Sequence, residues 1–281
     1  MKILLVGARS SLAHALMPYL TAFAHVTTAG RSGCDLTLDL AADVTLAGAY
    51  DAIINCAAHF GGNTAQSVID AVNVNVLGPL RLCRAAGHAH VLHVSTIFAE
   101  LDPASPFFSS YALSKRQGDE AAQLFASTAG QPLTIIRPAQ LYGMGEAGRA
   151  HQPFLYSIMD KAERNEDIVV YGCKDALRNF LHVDDCARLI ALAVQQRVTG
   201  VYRCVHPDNL PYSRIIQAAI AAFGSRSVLR IDAAKPDIPD NGFAPDDTLF
   251  RLLGTAPQIS IEEGMQREAA LRRTNETKAR P

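Results

Sequence analysis

Tyr111 and Lys115 stand four residues apart in the stretch Phe107 to Glu120, FFSSYALSKRQGDE. On a helix, residues at that spacing lie one above the other on the same face. An ammonium beside a phenol favours the phenolate. A tyrosine so placed trades protons near neutral pH, which is general acid–base chemistry on a substrate oxygen. An exposed helix face carries the same pair by chance, so the assignment turns on the company the pair keeps.

The elements that must position it follow from the apolar pattern. Strands are predicted at Ile3–Val6, His25–Ala29, Ala52–Cys56, Val91–Ser95 and Leu133–Arg137, alternating with helices at about Leu12–Ala22, Val68–Ala86 and Tyr111–Ser127. Strands apolar enough to be buried on both faces, separated by helices, make an α/β doubly wound parallel sheet, and such sheets bind ligands at the carboxyl ends of their strands. Beyond Tyr142 the character changes to a Gly-rich polar segment (143–152), one helix and Ile168–Tyr171. Strand-then-helix character returns over Arg178–Gln195, and helices are predicted near Tyr212–Phe223 and Ile261–Arg272. The expected organisation is a dinucleotide-binding domain of residues 1–142 and 178–200, a smaller discontinuous C-terminal substrate lobe of 143–177 and 201–272, and a frayed polar tail over 273–281.

Bulk properties narrow the partners. The 281 residues are 49% hydrophobic and 19% charged with a formal net charge of −1, a balance that supports a full hydrophobic core and gives no nucleic-acid footprint. The apolar run after Lys2 is too short for a secretory segment or a membrane span. Six scattered cysteines without a CxxC pair suit a reducing cytoplasm. His88, His90 and His93 have no carboxylate or Cys at ligand spacing beside them, so no metal site is expected. Asp184 and Asp185 look like a carboxylate pair but are expected to cap a helix starting at Cys186.

Gly7, Ala8, Arg9, Ser10, Ser11, Leu12 and Ala13 follow the first strand and open a helix. A Gly-rich turn there offers backbone N–H groups and a helix N-terminus to a pyrophosphate, although Ser10 and Ala13 replace the second and third glycines of GxxGxxG. The second strand ends in Ala29-Gly30-Arg31-Ser32, where an NAD-selective site usually carries an acid. Arg31, with Ser32 and Arg9, is suited to grip a 2′-phosphate; an ordinary solvated loop arginine is the alternative. NADP(H) is expected ahead of NAD(H).

Taken in order, Gly7 to Ala13, Asp39-Leu40, Asn55 to Ala58, Asn75 to Gly78, His93 to Thr96, Tyr111 to Lys115, Arg137 to Gly143, Tyr171-Gly172, Arg178 to Asp185 and Pro257 to Gly264 resemble the extended short-chain dehydrogenase/reductase family, in its nucleotide-sugar epimerase, dehydratase and reductase branch. The resemblance spans nearly the whole chain and implies a Rossmann fold. It also implies Tyr111 as acid/base, Lys115 as the holder of the nicotinamide ribose that lowers the Tyr pKa, and Thr96 as hydrogen-bond partner of the reacting oxygen. By the same correspondence Asp39 and Leu40 meet the adenine. Ala57, Ala58, Asn75 and Ser95 line the cofactor channel, and Pro138 passes the nicotinamide amide. Gln140 stands where relatives often have Asn, and Arg178 matches an arginine that grips a nucleotide diphosphate, a surface ion pair being the alternative. His59 either touches substrate or is a buried, hydrogen-bonded histidine.

The family's 4,6-dehydratases follow the Thr with an Asp-Glu pair, and its 3,5-epimerase-reductases follow it with Cys. Here Ile97 and Phe98 follow Thr96. The minimal set that remains implies reduction of an NDP-4-keto-6-deoxy sugar by hydride transfer with Tyr111 as proton donor. A C4 epimerase that keeps NAD bound uses the same residues, and a non-catalytic dinucleotide-sensing protein is the third alternative. A nucleotide-sugar substrate and a homodimer are the expected partners.

Overall fold

The computed structural model describes residues 1–279, with side chains through residue 275. The chain divides into two compact units. The first comprises Met1–Ala139, Ala187–Cys204 and Asp247–Ala256, and the second comprises Gln140–Cys186, Val205–Asp246 and the chain from Pro257 on.

The first unit is built on a seven-stranded sheet. Its strands are β1 (Lys2–Val6), β2 (His25–Gly30), β3 (Leu36–Thr37), β4 (Ala52–Asn55), β5 (His90–Val94), β6 (Leu133–Pro138) and the strand Gly200–Cys204. From one edge the order is Gly200–Cys204, β6, β5, β4, β1, β2, β3, and every neighbouring pair runs parallel. Ile3, Leu4, Leu5, Ile53 and Ile54 are fully buried, and each contributes about 2 kcal/mol by leaving water. That burial on both faces is why these strands read as unbroken apolar runs. The order reverses at β1, the switch point beside which doubly wound sheets bind ligands. The sequence-based boundary at residue 200 cuts this unit short, since Gly200–Cys204 is its seventh strand.

Four helices precede residue 139: α1 (Ser11–Thr21), α2 (Ala65–Val72), α3 (Gly78–Ala86) and α4 (Ser110–Ala129). The single helix predicted over Val68–Ala86 is in fact α2 and α3 joined by a five-residue π-helical turn, Asn73–Leu77. Such widened turns are frequent at functional sites, and this one presents the buried Asn75.

The second unit holds short strand pairs, Gln140–Tyr142 with Phe180–His182, Leu177–Arg178 with Leu210–Pro211, and Ile168–Tyr171 with Leu229–Asp232. Helices Pro153–Glu163, Tyr212–Phe223 and Ile261–Ala279 supply the rest, and its core gathers Tyr142, Tyr156, Met159, Ile215, Ile216 and Met265. The last helix continues to Ala279, through most of the segment expected to fray; residues 280–281 lie outside the described residues. The helix expected from Cys186 starts at Val183. Asp185 does not cap it: its carboxylate accepts from Gln258 N and Ile259 N at 2.9 and 2.8 Å, while Asp184 pairs with Arg267 at 3.0 Å. Among the described residues no helix is long and apolar enough to cross a membrane.

Candidate active site

At the end of β1, Gly7 takes φ +75°, and a Cβ there would lie 2.5 Å from the backbone N of Ala57. Only glycine permits that approach. The turn delivers Ser10 to the N-cap of α1, where its Oγ accepts from Ala13 N at 3.2 Å. Ser10 therefore replaces a turn glycine with a cap, satisfying one donor of the helix's first turn, and Ser11 and Leu12 begin the helix. At the end of β2, Arg9 Nη1 donates to Ser32 Oγ at 2.9 Å, beside the exposed Arg31. Asp39 turns its carboxylate onto Ala41 N at 2.9 Å, and Leu40 is buried in the core between sheet and helices. The residues present fit a dinucleotide: a bare backbone turn, an eleven-residue helix aimed by its N-terminus and cationic groups after β2.

Tyr111 sits in the first turn of α4, whose N-cap Ser109 accepts from Ala112 N. Lys115, Gly118, Asp119 and Ala122 continue its buried stripe. Gly118 is needed there, because a Cβ would lie 2.0 Å from Asn75 O in the π turn. Asn75 in turn ties three pieces together. Its Oδ1 accepts from His59 N at 2.8 Å, and its Nδ2 donates to His59 O at 2.7 Å and to Ser114 Oγ at 3.0 Å. His59 is half-buried and hydrogen-bonded, with Nδ1 accepting from Gly61 N at 3.1 Å. The loop it begins lays Phe60, 58% exposed, on the Tyr111 ring, with centroids 5.3 Å apart.

Thr96 caps a short 3₁₀ turn, Ile97–Glu100, which Arg116 fastens to α4 through Ala99 O at 2.7 Å. The Thr96 side chain lies beside Tyr111 and favours its ionised form. Tyr111 is half-buried. Burial pushes its pKa above the ordinary value, and the Asp119 charge adds to the rise against the opposing influence of Thr96. Burial thus outweighs the depression expected of Tyr111 from Lys115. Lys115 is itself fully buried, and burial pushes it down to about 8, against the pull of Asp119 and Cys56. Its Nζ donates to Val94 O at 2.7 Å and lies 3.2 Å from His93 Nε2.

Behind Lys115, Asp119 pairs with Arg137 at 2.8 Å, Arg137 with Glu100 at 3.0 Å, and Glu100 with Arg203 Nε at 2.8 Å. Burial raises the Asp119 carboxyl against Lys115, Ser95 and Arg137. Ser95 and Pro138 are buried at the ends of β5 and β6, and Ala57 and Ala58 are half-buried after β4.

Gln140 and Arg178 belong to the second unit. Gln140 donates to Gln152 Oε1 at 3.0 Å and accepts from Asn241 at 3.3 Å. Arg178 is no surface ion pair. It is 5% exposed, donates to Leu177 O and Pro239 O at 2.7 and 2.8 Å, and lies 4.5 Å above the Tyr212 ring.

A family model described as the NAD dependent epimerase/dehydratase family matches residues 3–204. The chain belongs to the NAD-dependent epimerase/dehydratase family. A dTDP-4-dehydro-6-deoxy-D-allose reductase of a Streptomyces species is 25% identical over 68% of this chain, which spans 65% of that protein's length. Among solved structures, UDP-N-acetylglucosamine 4-epimerase from Bacillus cereus superposes with TM-score 0.77 at 18% identity, covering 97% of this chain and 96% of its own. Bordetella bronchiseptica WbmF in complex with NAD+ does so with TM-score 0.79 at 17% identity, covering 98% and 93%.

In this family member, several residues of the site lie in or near the motifs without a role having been read for them. Asn55, His93, Ser114 and Asp119 are buried around Lys115, and Phe60 covers Tyr111. One signal was available: Asn55 and His93 are polar residues in the otherwise apolar β4 and β5, where they are register partners.

Proposed function

We propose that this protein is an NADPH-dependent reductase of a nucleotide-linked 4-keto-6-deoxy sugar. The observation that carries the reading is Tyr111 on the same face of α4 as the buried Lys115 and beside Thr96, where burial favours the neutral phenol, the form that gives a proton to a ketone oxygen. When bound, the nicotinamide supplies hydride. Tyr111 donates its phenolic proton to the oxygen, Thr96 polarises that oxygen, and Phe60 shields one face of the phenol from water. The buried Ile97 and half-buried Phe98 put no acid after Thr96, which speaks against dehydration. Arg9, Ser32 and Arg31 at the end of β2 support NADP, and the family's reductase relative supports the ketosugar.

C4 epimerisation with retained NAD is the second reading, favoured by fold neighbours that are 4-epimerases. The deciding assay follows NADPH and NADH absorbance with dTDP-4-keto-6-deoxyglucose, beside chromatography of UDP-glucose and UDP-galactose. Stoichiometric loss of NADPH, falling at least ~100-fold in Tyr111→Phe, supports the reductase. Interconversion of the hexoses with no net cofactor loss replaces it with the epimerase.

A further inference from the structure

Asp119 is a buried acid that the proton transfer at Tyr111 does not itself use. Its side chain is fully buried, one helical turn beyond Lys115 and on the same face of α4. Its Oδ2 accepts from Arg137 Nε of β6 at 2.8 Å, and Arg137 is held in turn by Glu100 at 3.0 Å, itself paired with Arg203. That clamp fixes the carboxylate. Its Oδ1 has no hydrogen-bond partner, and neither has Ser95 Oγ, which lies near the same carboxylate. The connected groups are three cations, Lys115, Arg137 and Arg203, and two carboxylates. Glu100 serves the two arginines, so Asp119 is the carboxylate that acts on both Arg137 and Lys115.

We infer that Asp119 is a positioning residue whose carboxylate, fixed by Arg137, keeps Lys115 cationic in the dry interior beside Tyr111. Burial opposes that charge, and the other groups packed around Nζ do not supply its counterpart. His93 of β5, 3.2 Å away, is held neutral, first by burial and then by the Lys115 charge. Cys56, after β4, is a neutral thiol, since burial pushes it up to about 12. Tyr111 stays a phenol by burial, and Val94 O, accepting from Nζ at 2.7 Å, is a dipole without net charge. Asp119 is then the anion that opposes burial at Lys115. With its proton leaving at about 8, Lys115 is an ammonium at pH 7. Without Asp119 it would face the Arg137 guanidinium with burial unopposed. The same carboxylate favours the phenol form of Tyr111, so one buried acid holds the protons of both members of the pair.

The inference rests on the proposed function only in taking Lys115 as part of the reacting site. Its test needs neither substrate nor cofactor, so a failed turnover assay leaves it decidable. Correlations of ¹³Cε with ¹⁵Nζ in labelled lysine, assigned with Lys115→Met, follow the Lys115 proton across the neutral and alkaline range, and ¹³Cγ spectra of labelled aspartate follow Asp119. At pH 7 the wild-type protein is expected to show an ammonium at Lys115 and an ionised Asp119. Asp119→Asn keeps an oxygen for Arg137 and removes the charge, so the proton affinity of Lys115 should fall at least about tenfold. The direction separates charge from packing, because a site loosened by the substitution admits water and raises that affinity toward an ordinary lysine's. An unchanged or raised affinity in Asp119→Asn overturns the inference, as does a protonated Asp119 in the wild-type protein at pH 7. Should Asp119→Asn not fold, the coupling is read from its other partner, since it is reciprocal. In Lys115→Met the proton affinity of Asp119 should rise at least about tenfold, and an unchanged Asp119 overturns the inference.

Discussion

Replacing Lys115 with Met should alter how stability depends on pH, because the fold carries a cation it has stripped of water. Lys115 drops from 10.5 to about 8 on burial, a differential of about 3 kcal/mol against the charged form. Below the folded value both folded and unfolded lysines hold the proton, and the full cost is present. Between the two values only the unfolded chain holds it, so stability rises with pH as the cost is relieved. Lys115→Met removes that rise. Its lost bonds to Val94 O and His93 cost about 1–3 kcal/mol at every pH, so the absolute difference between the two proteins is not the readout. The variant's stability relative to wild type should fall by about 2 kcal/mol between pH 7 and pH 9.5, measured by urea unfolding. Parallel curves for the two proteins would refute the reasoning, since Lys115 would then titrate alike folded and unfolded.

Gly118→Ala, which helix propensity alone predicts to stabilise by about 1 kcal/mol, should instead cost on the order of 3 kcal/mol, because the added carbon meets Asn75 O at 2.0 Å; a melting temperature at or above wild type would remove the case for tight α4 packing on the π turn. Arg31→Ala should weaken NADPH binding about tenfold, the loss of one charge-assisted contact, and leave NADH unchanged in fluorescence titrations, whereas equal effects on both would make Arg31 a bystander.

The sheet was legible because burial on both faces writes itself as contiguous Ile, Leu and Val, and β1, β4 and β5 lie within a residue of their predicted ends. The two-residue β3 and the strand Gly200–Cys204 were not, since the first is too short for a pattern and the second is only half-buried along most of its length. The π turn hides for a different reason: VIDAVNVNVLGPL keeps apolar residues at helical intervals throughout, and a widened turn leaves that pattern intact. Around Tyr111 and Lys115 the motif spacing puts both on one face of α4, but where the ammonium turns depends on His93 and Val94, twenty or more residues away. Local spacing cannot report desolvation either. Whether a phenol rises or falls depends on which of burial and charge is larger, and that is settled only when the chain packs.

The turn at Asn73–Leu77 has an evolutionary consequence. A π-helical turn holds one more residue than the α-helical turn it interrupts, so losing one residue there would leave a regular α-helix. Losing a single codon there would return it to regular pitch and let Leu82 and Cys83 keep their places in the core. The same loss would withdraw Asn75 from His59 and Ser114, freeing the loop that covers Tyr111. At this position heredity can remove the site and keep the fold, so lineages that abandon catalysis have a short route to a stable, inert descendant.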